Sequence, residues 1–256
     1  MATSFHAAVR YIDYMQRQMK VEASAFAKVA GIGVIGFALV ILVANVFLAS
    51  AGMPAPGAGA GEAYVFFGEP RPVIGLTSMF MPAAWALSTV FAAGAASVLW
   101  RSDRDRGEAW SLVGFAGVVM QNAVFLGVIA IRLALASASA TDEAVVEVLW
   151  LLQDALIALN GAFLAAALVG FSISGLRAGL LRRWHCWVGL LSAGLLFCGA
   201  SIAPFVLEHG GLAGFVGLGG WLLWVCWLIS YGVALLRLET AASGRTAVGQ
   251  DGSHGP

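Results

Sequence analysis

Six stretches of the chain, at approximately 27–51, 76–100, 109–133, 145–171, 186–207 and 213–236, are apolar for long enough to cross a bilayer, whose hydrocarbon layer of roughly 30 Å takes about 20 helical residues. Lipid offers no water to bare backbone groups, so a spanning segment must satisfy its own N–H and C=O groups as a helix. The pattern therefore predicts an all-α polytopic protein, a six-transmembrane-helix bundle. Composition agrees: 60% of residues are hydrophobic and 11% charged, where soluble domains have about 45–50% and about 25%. One membrane domain over 27–238 follows, because lipid replaces part of the core that a soluble fold would need.

The basic residues orient the bundle. Lys and Arg are retained on the cytoplasmic side, whereas Asp and Glu carry little information. With the amino terminus inside, Arg10, Arg17, Lys20, Lys28, Arg101, Arg104, Arg106, Arg177, Arg182, Arg183, Arg237 and Arg245 all fall inside, and Arg71 and Arg132 outside. Both termini are thus expected in the cytoplasm, with the chain in the cell (inner or plasma) membrane. Trp100, Trp110, Trp184 and Trp187 flank the two charged turns, where an amphipathic ring suits the headgroup level.

Outside the spans, Phe5, Val9, Ile12, Met19 and Phe26 recur near helical spacing, with Arg10, Arg17 and Lys20 for the opposite face. Residues 1–26 therefore read as an amphipathic helix lying in the cytoplasmic interface. They hold no short apolar core followed by a small-residue cleavage site, so the first span is expected to act as the insertion signal. The tail, 239–256, has no apolar period and is expected to be disordered. Between spans one and two, the loop from Gly52 to Gly75 passes from a Pro/Ala/Gly stretch to Tyr64-Val-Phe-Phe67 and Glu69-Pro-Arg-Pro72. Two readings fit it: a segment that dips into the interface or caps the bundle, and a plain surface loop.

An ionisable residue deep in a span is costly and by default marks a functional site. Asp154 is the clear case, beside Gln153, with Asn160 less than two turns further on. If spans three and four form a hairpin centred near Ser139, residues equidistant from it lie at similar depth. That symmetry predicts an inner cluster of Gln121, Asn122, Gln153, Asp154 and Asn160, and an outer ion pair of Arg132 with Glu147. The cluster reads either as a carboxylate site for a proton, cation or small solute, or as a hydrogen-bonded packing network. A second candidate is the stripe Trp221, Trp224, Trp227 and Tyr231, which would line a cavity or belong to the core.

Several chemistries lack their parts. His185 and His209 sit at opposite ends of span five, so no histidine pair is placed for a haem. Ser172 and Ser174 show no histidine at similar depth for a serine protease. No lysine lies deep in a span and no Gly-rich phosphate loop occurs. Cys186, Cys198 and Cys226 have no zinc spacing, so neither metal nor cofactor is expected. Zero net charge with no basic run interleaved with aromatics points away from nucleic acid. The expected partners are the bilayer, a protein partner or second copy of the chain, and a small solute or proton.

Residues 174–197, Ser174-Gly-Leu-Arg-Ala-Gly-Leu-Leu-Arg-Arg-Trp-His-Cys-Trp-Val-Gly-Leu-Leu-Ser-Ala-Gly-Leu-Leu-Phe197, resemble a phrase of uncharacterised bacterial multi-pass proteins. There a segment of the type SGLLPRWLGWLGL joins two late spans, and Arg182 here stands in place of its proline. The resemblance implies a bacterial inner-membrane protein of unknown activity, and the Ala/Gly/Val/Arg-rich composition is similar to that of actinobacterial proteins. The leading expectation is a non-enzymatic membrane subunit or scaffold. The alternative is a small secondary transporter or solute-binding protein using Asp154.

Overall fold

The computed structural model describes residues 2–137, 142–203 and 214–248, with side chains for 25–137, 142–203 and 216–238. Among them every regular element is an α-helix, and six helices are long and apolar enough to cross a membrane. The elements are α1 (Ala2–Ser50), α2 (Ala60–Phe67), α3 (Pro72–Met79), α4 (Met81–Asp105), α5 (Trp110–Ser137), α6 (Glu143–Arg177), α7 (Arg183–Ser201) and α8 (Gly214–Val248). Each of the six spans lies within a few residues of its sequence estimate.

The spans form a ring in chain order: α1 packs on α4, then α5, α6, α7 and α8 follow as neighbours, and α8 returns to α1. Short charged turns join α4 to α5 and α6 to α7, so each of these pairs lies antiparallel and adjacent. Gly107 and Gly179 close those turns at φ +69° and +73°. Arg106 donates to the Arg177 carbonyl at 2.7 Å, and Arg177 pairs with Glu108, so the two turns are tied together. This is called the turn end below.

The interior is filled. Phe91 meets Phe171 at 5.5 Å and Tyr231 at 5.4 Å between ring centroids, and Trp227 lies 4.8 Å from Tyr231. Trp224 sits edge-on to Phe37 at 5.8 Å. Of the two readings of the aromatic stripe, core is the one observed: Trp224, Trp227 and Tyr231 are buried, and Trp221 packs against them. Val29, Ile32, Val46, Leu126, Val148 and Leu191 point outward and are exposed, an apolar belt far larger than a water-facing surface carries. Small residues set the helix spacing. A Cβ on Gly170 would overlap the backbone of Gly114, which fixes α5 against α6, and one on Gly31 would lie 2.9 Å from the Gly232 carbonyl, which fixes α1 against α8.

Two boundaries differ from expectation. Helix α1 is a single element of 49 residues, which at 1.5 Å per residue is roughly 70 Å of helix, so residues before 27 are continuous with the span. Helix α8 runs to Val248 instead of stopping near 238. Leu238-Glu-Thr-Ala-Ala242 contains no breaker, and adding a residue to an existing helix costs little. Residues 249–256, the remainder of the expected tail, lie outside the described residues, as do Ser139 and the side chains of 5–20.

At the opposite end the segment after Gly52 turns back onto the bundle. Helix α2 packs on α6, and Phe66, Phe67, Leu48, Ile74, Leu135, Val146 and Trp150 form a second apolar cluster. Of the two readings of 52–75, the cap is the one observed. Burial of Phe66 and Phe67 explains it: side chains of this size contribute on the order of 1.5–3 kcal/mol each when removed from water. The covering segment, 53–67, is called the plug.

Candidate functional site

The plug reaches Asp154. This residue lies about 16 Å along α6 from Glu143, and it is 2% exposed. Its Oδ2 accepts the Gly57 backbone N–H at 2.8 Å. One turn nearer the helix start, Trp150 donates its Nε1 hydrogen to the Ala58 carbonyl at 3.1 Å. Gly57 has φ +85°, a conformation that costs other residues roughly 1–2 kcal/mol, so this glycine lets the plug backbone turn its N–H toward the carboxylate.

Arg132 completes the site. Its Nε donates to Gln153 Oε1 at 3.2 Å, and its charge acts on Asp154. Gln153 is fully buried, and its amide lies near enough to act on the Asp154 carboxylate. Yet among the described residues neither Gln153 Nε2 nor Asp154 Oδ1 has a partner at hydrogen-bonding geometry. Asn160, two turns past Gln153 on the same face, is buried with its Oδ1 also unpartnered. The Ser78, Ser111 and Tyr231 hydroxyls are likewise unpartnered among the described residues; at Asp154 a donor and an acceptor are open beside each other.

This arrangement corrects the outer ion pair. Arg132 is buried and turned toward Gln153 and Asp154, while Glu147 is exposed and no ion pair joins them among the described residues. Depth symmetry locates Cα atoms, but helical side chains lean toward the helix start. On α5 that lean carries Arg132 inward, and on the antiparallel α6 it carries Gln153 and Asp154 toward it and Glu147 away.

The inner cluster is also redistributed. Asn122 faces α4, where its Nδ2 donates to Ser88 Oγ at 2.9 Å and its Oδ1 accepts from Ser88 at 3.1 Å. Gln121 is buried, and no hydrogen bond joins it to Asp154 among the described residues. Neighbouring residues point about 100° apart around a helix of 3.6 residues per turn, so 121 and 122 cannot both face α6. Of the residues read as one cluster, Gln153 and Asp154 are together, with Arg132 added.

A second buried carboxylate, unanticipated from the sequence, holds the turn end. Asp103 is 0% exposed; its Oδ2 accepts the Ser111 N–H at 2.6 Å and its Oδ1 the Ser174 hydroxyl at 2.7 Å. It satisfies a free N–H in the first turn of α5 and favours the positive end of that helix's dipole. Nearby, His185 Nε2 donates to the Trp227 carbonyl and Trp227 Nε1 donates to Ser172 Oγ, each at 3.1 Å. A histidine thus lies closer to Ser172 than chain position suggested, but Trp227 stands in the hydrogen-bond path between them. Asp103 sits in the charged run Arg101–Glu108, in the last turn of α4, where nothing in the sequence sets it apart from its charged neighbours.

Among the described residues no group of three or more His, Cys, Asp or Glu side chains could hold a metal ion, and Cys186, Cys198 and Cys226 are free thiols. The chain is an all-α, multi-pass membrane protein, and no family model, curated protein or solved structure matches it.

Proposed function

We propose that the protein binds a small polar solute or ion at Asp154, in a pocket formed with Arg132 and Gln153 and covered by the plug, and acts as a small transporter or solute-binding membrane protein. The observation that carries this reading is the pair of atoms without a partner among the described residues, Asp154 Oδ1 and Gln153 Nε2, buried beside each other beneath the plug, whose Gly57 N–H engages the same carboxylate. Burying a polar group without a partner costs roughly 1–3 kcal/mol, so two together favour a ligand that supplies both. In this reading the plug faces outside and both termini lie in the cytoplasm.

Asp154→Asn keeps the shape and removes the charge. In proteoliposomes or whole cells the variant is expected to fold and lose solute uptake or binding; normal uptake would sink the reading. Orientation has its own test: a cysteine at Gly57 is expected to react with an impermeant maleimide from outside, and one at Arg104 only after permeabilisation.

A membrane subunit or scaffold is the second reading. Its support is the filled ring interior, where Phe91, Phe171, Trp227 and Tyr231 leave a rigid body. Copurification of a stoichiometric partner, with Asp154→Asn silent, would favour it.

A further inference from the structure

We infer that the ligand of the Asp154 pocket carries no net charge and presents an N–H donor beside an oxygen acceptor, as amino-acid zwitterions and primary amides do, and that the plug's Gly57 N–H holds the donor's place until the ligand arrives. This deepens the solute-binding reading and depends on it.

The first argument is charge balance. Arg132 and Asp154 are opposite charges, both nearly excluded from solvent. A bare cation or anion would leave the site with a net buried charge, and the effective penalty for burying an ion is several kcal/mol even after relaxation. A zwitterion or neutral amide adds none. Removing the Asp154 charge alone would strand Arg132 in the same way, which disfavours simple protonation as the event at this site.

The second argument is complementarity. Asp154 offers a carboxylate whose Oδ1 is open and whose Oδ2 is filled by a backbone amide. Gln153 offers an Nε2 donor without a partner among the described residues, and Arg132 a guanidinium whose Nε donates to Gln153. A molecule that fits donates to Asp154, at the open Oδ1 and at the Oδ2 that the Gly57 N–H now fills, and accepts from the other two.

The third argument is the plug itself. Its consecutive residues present the Gly57 N–H to Asp154 and the Ala58 C=O to Trp150. The pocket wall is already occupied by a donor and an acceptor of peptide chemistry, supplied by the chain. Gly59 and Gly61 have nothing within 4 Å of where a Cβ would stand, so withdrawal of 57–61 works chiefly against the Gly57 and Ala58 hydrogen bonds and the packing of Ala58 on the second cluster. The room for a solute is the room the plug vacates.

The test uses the full chain in lipid nanodiscs, with its three cysteines replaced by serine and a single reporter Ala58→Cys. The probes are glycine, acetamide, trimethylglycine (a zwitterion without N–H), sodium chloride and sodium acetate, read by thermal unfolding and by the rate of maleimide labelling at position 58. Glycine or acetamide at saturation is expected to raise the unfolding midpoint by about 2–4 °C and to speed labelling as the plug leaves, with trimethylglycine and the salts inert. Asp154→Asn is expected to abolish both effects. Should that variant not fold, Gly57→Ala tests the competition with the pocket intact: a strain of about 1–2 kcal/mol lowers the half-effect concentration roughly 5- to 30-fold.

A response to sodium or acetate but not to glycine or acetamide would overturn the ligand class and leave the binding site standing. No response to any probe, with Asp154→Asn indistinguishable from the parent, would overturn both. An unchanged half-effect concentration in Gly57→Ala would remove the plug from the role of competitor.

Discussion

Asp103 and Asp154 are both buried carboxylates, one near each end of the bundle, and their surroundings differ. Asp103 has both oxygens engaged by hydrogen-bond donors, from Ser111 and Ser174 on two other helices. Asp154 has one oxygen engaged, by a segment that is not part of the ring, and the other open beside an open amide. The first joins α4, α5 and α6 and leaves nothing for a ligand to do. The second has a counter-charge, Arg132, but an incomplete set of hydrogen bonds. What separates a structural carboxylate from a candidate site here is the completeness of its partners, since burial is the same for both.

The comparison breaks most visibly if Asp103 proves dispensable. Asp103→Ala strands a helix-start N–H and a buried hydroxyl and removes a charge-assisted contact, with an expected loss of about 3–5 kcal/mol in reversible unfolding from mixed micelles. A loss under about 1 kcal/mol would mean the turn end is held by its arginines instead. Next in size is Arg132→Leu, which leaves Asp154 buried without a counter-charge and is expected to cost about 3 kcal/mol. Adding Asp154→Asn should recover part of that, with a coupling of about 1–3 kcal/mol; strict additivity would deny that the two charges form one site.

Gly57→Ala sharpens the contrast from the plug side. About 1–2 kcal/mol of backbone strain should appear as faster amide exchange confined to 53–67, with the turn end unaffected. Smallest is Asn122→Ala, whose bonds to Ser88 join α4 to α5. An interhelical contact of this kind contributes about 0.6 kcal/mol. A substantially larger loss would mark the α4–α5 seam as a third polar centre.

The spans were legible because length and hydropathy are properties of a line of residues, and lipid reads them as such. So was Asp154, since a lone carboxylate in an apolar run stands out. What escaped depends on direction and on distant chain. Arg132 was assigned to Glu147 because Cα depth ignores the lean of side chains, and Asn122 was assigned to α6 because a one-residue step rotates the partner away. Gly57 carries no side chain and therefore no pattern; its part is a backbone N–H that meets a residue on another helix. Asp103 was hidden by its neighbours, since a carboxylate among arginines at a turn resembles every solvated loop.

The seam between α1 and α8 has a consequence for biogenesis. Gly31 and Gly232 meet backbone to backbone, yet they are separated by roughly 200 residues, the kind of distant pairing that slows folding. As the spans leave the ribosome in order, α1 finds α4 early but keeps one flank open to lipid through all the intervening insertions. The barrel of helices shuts only when the last one arrives. Until then the small-residue flank of α1 around Gly31 faces lipid with nothing to fill it.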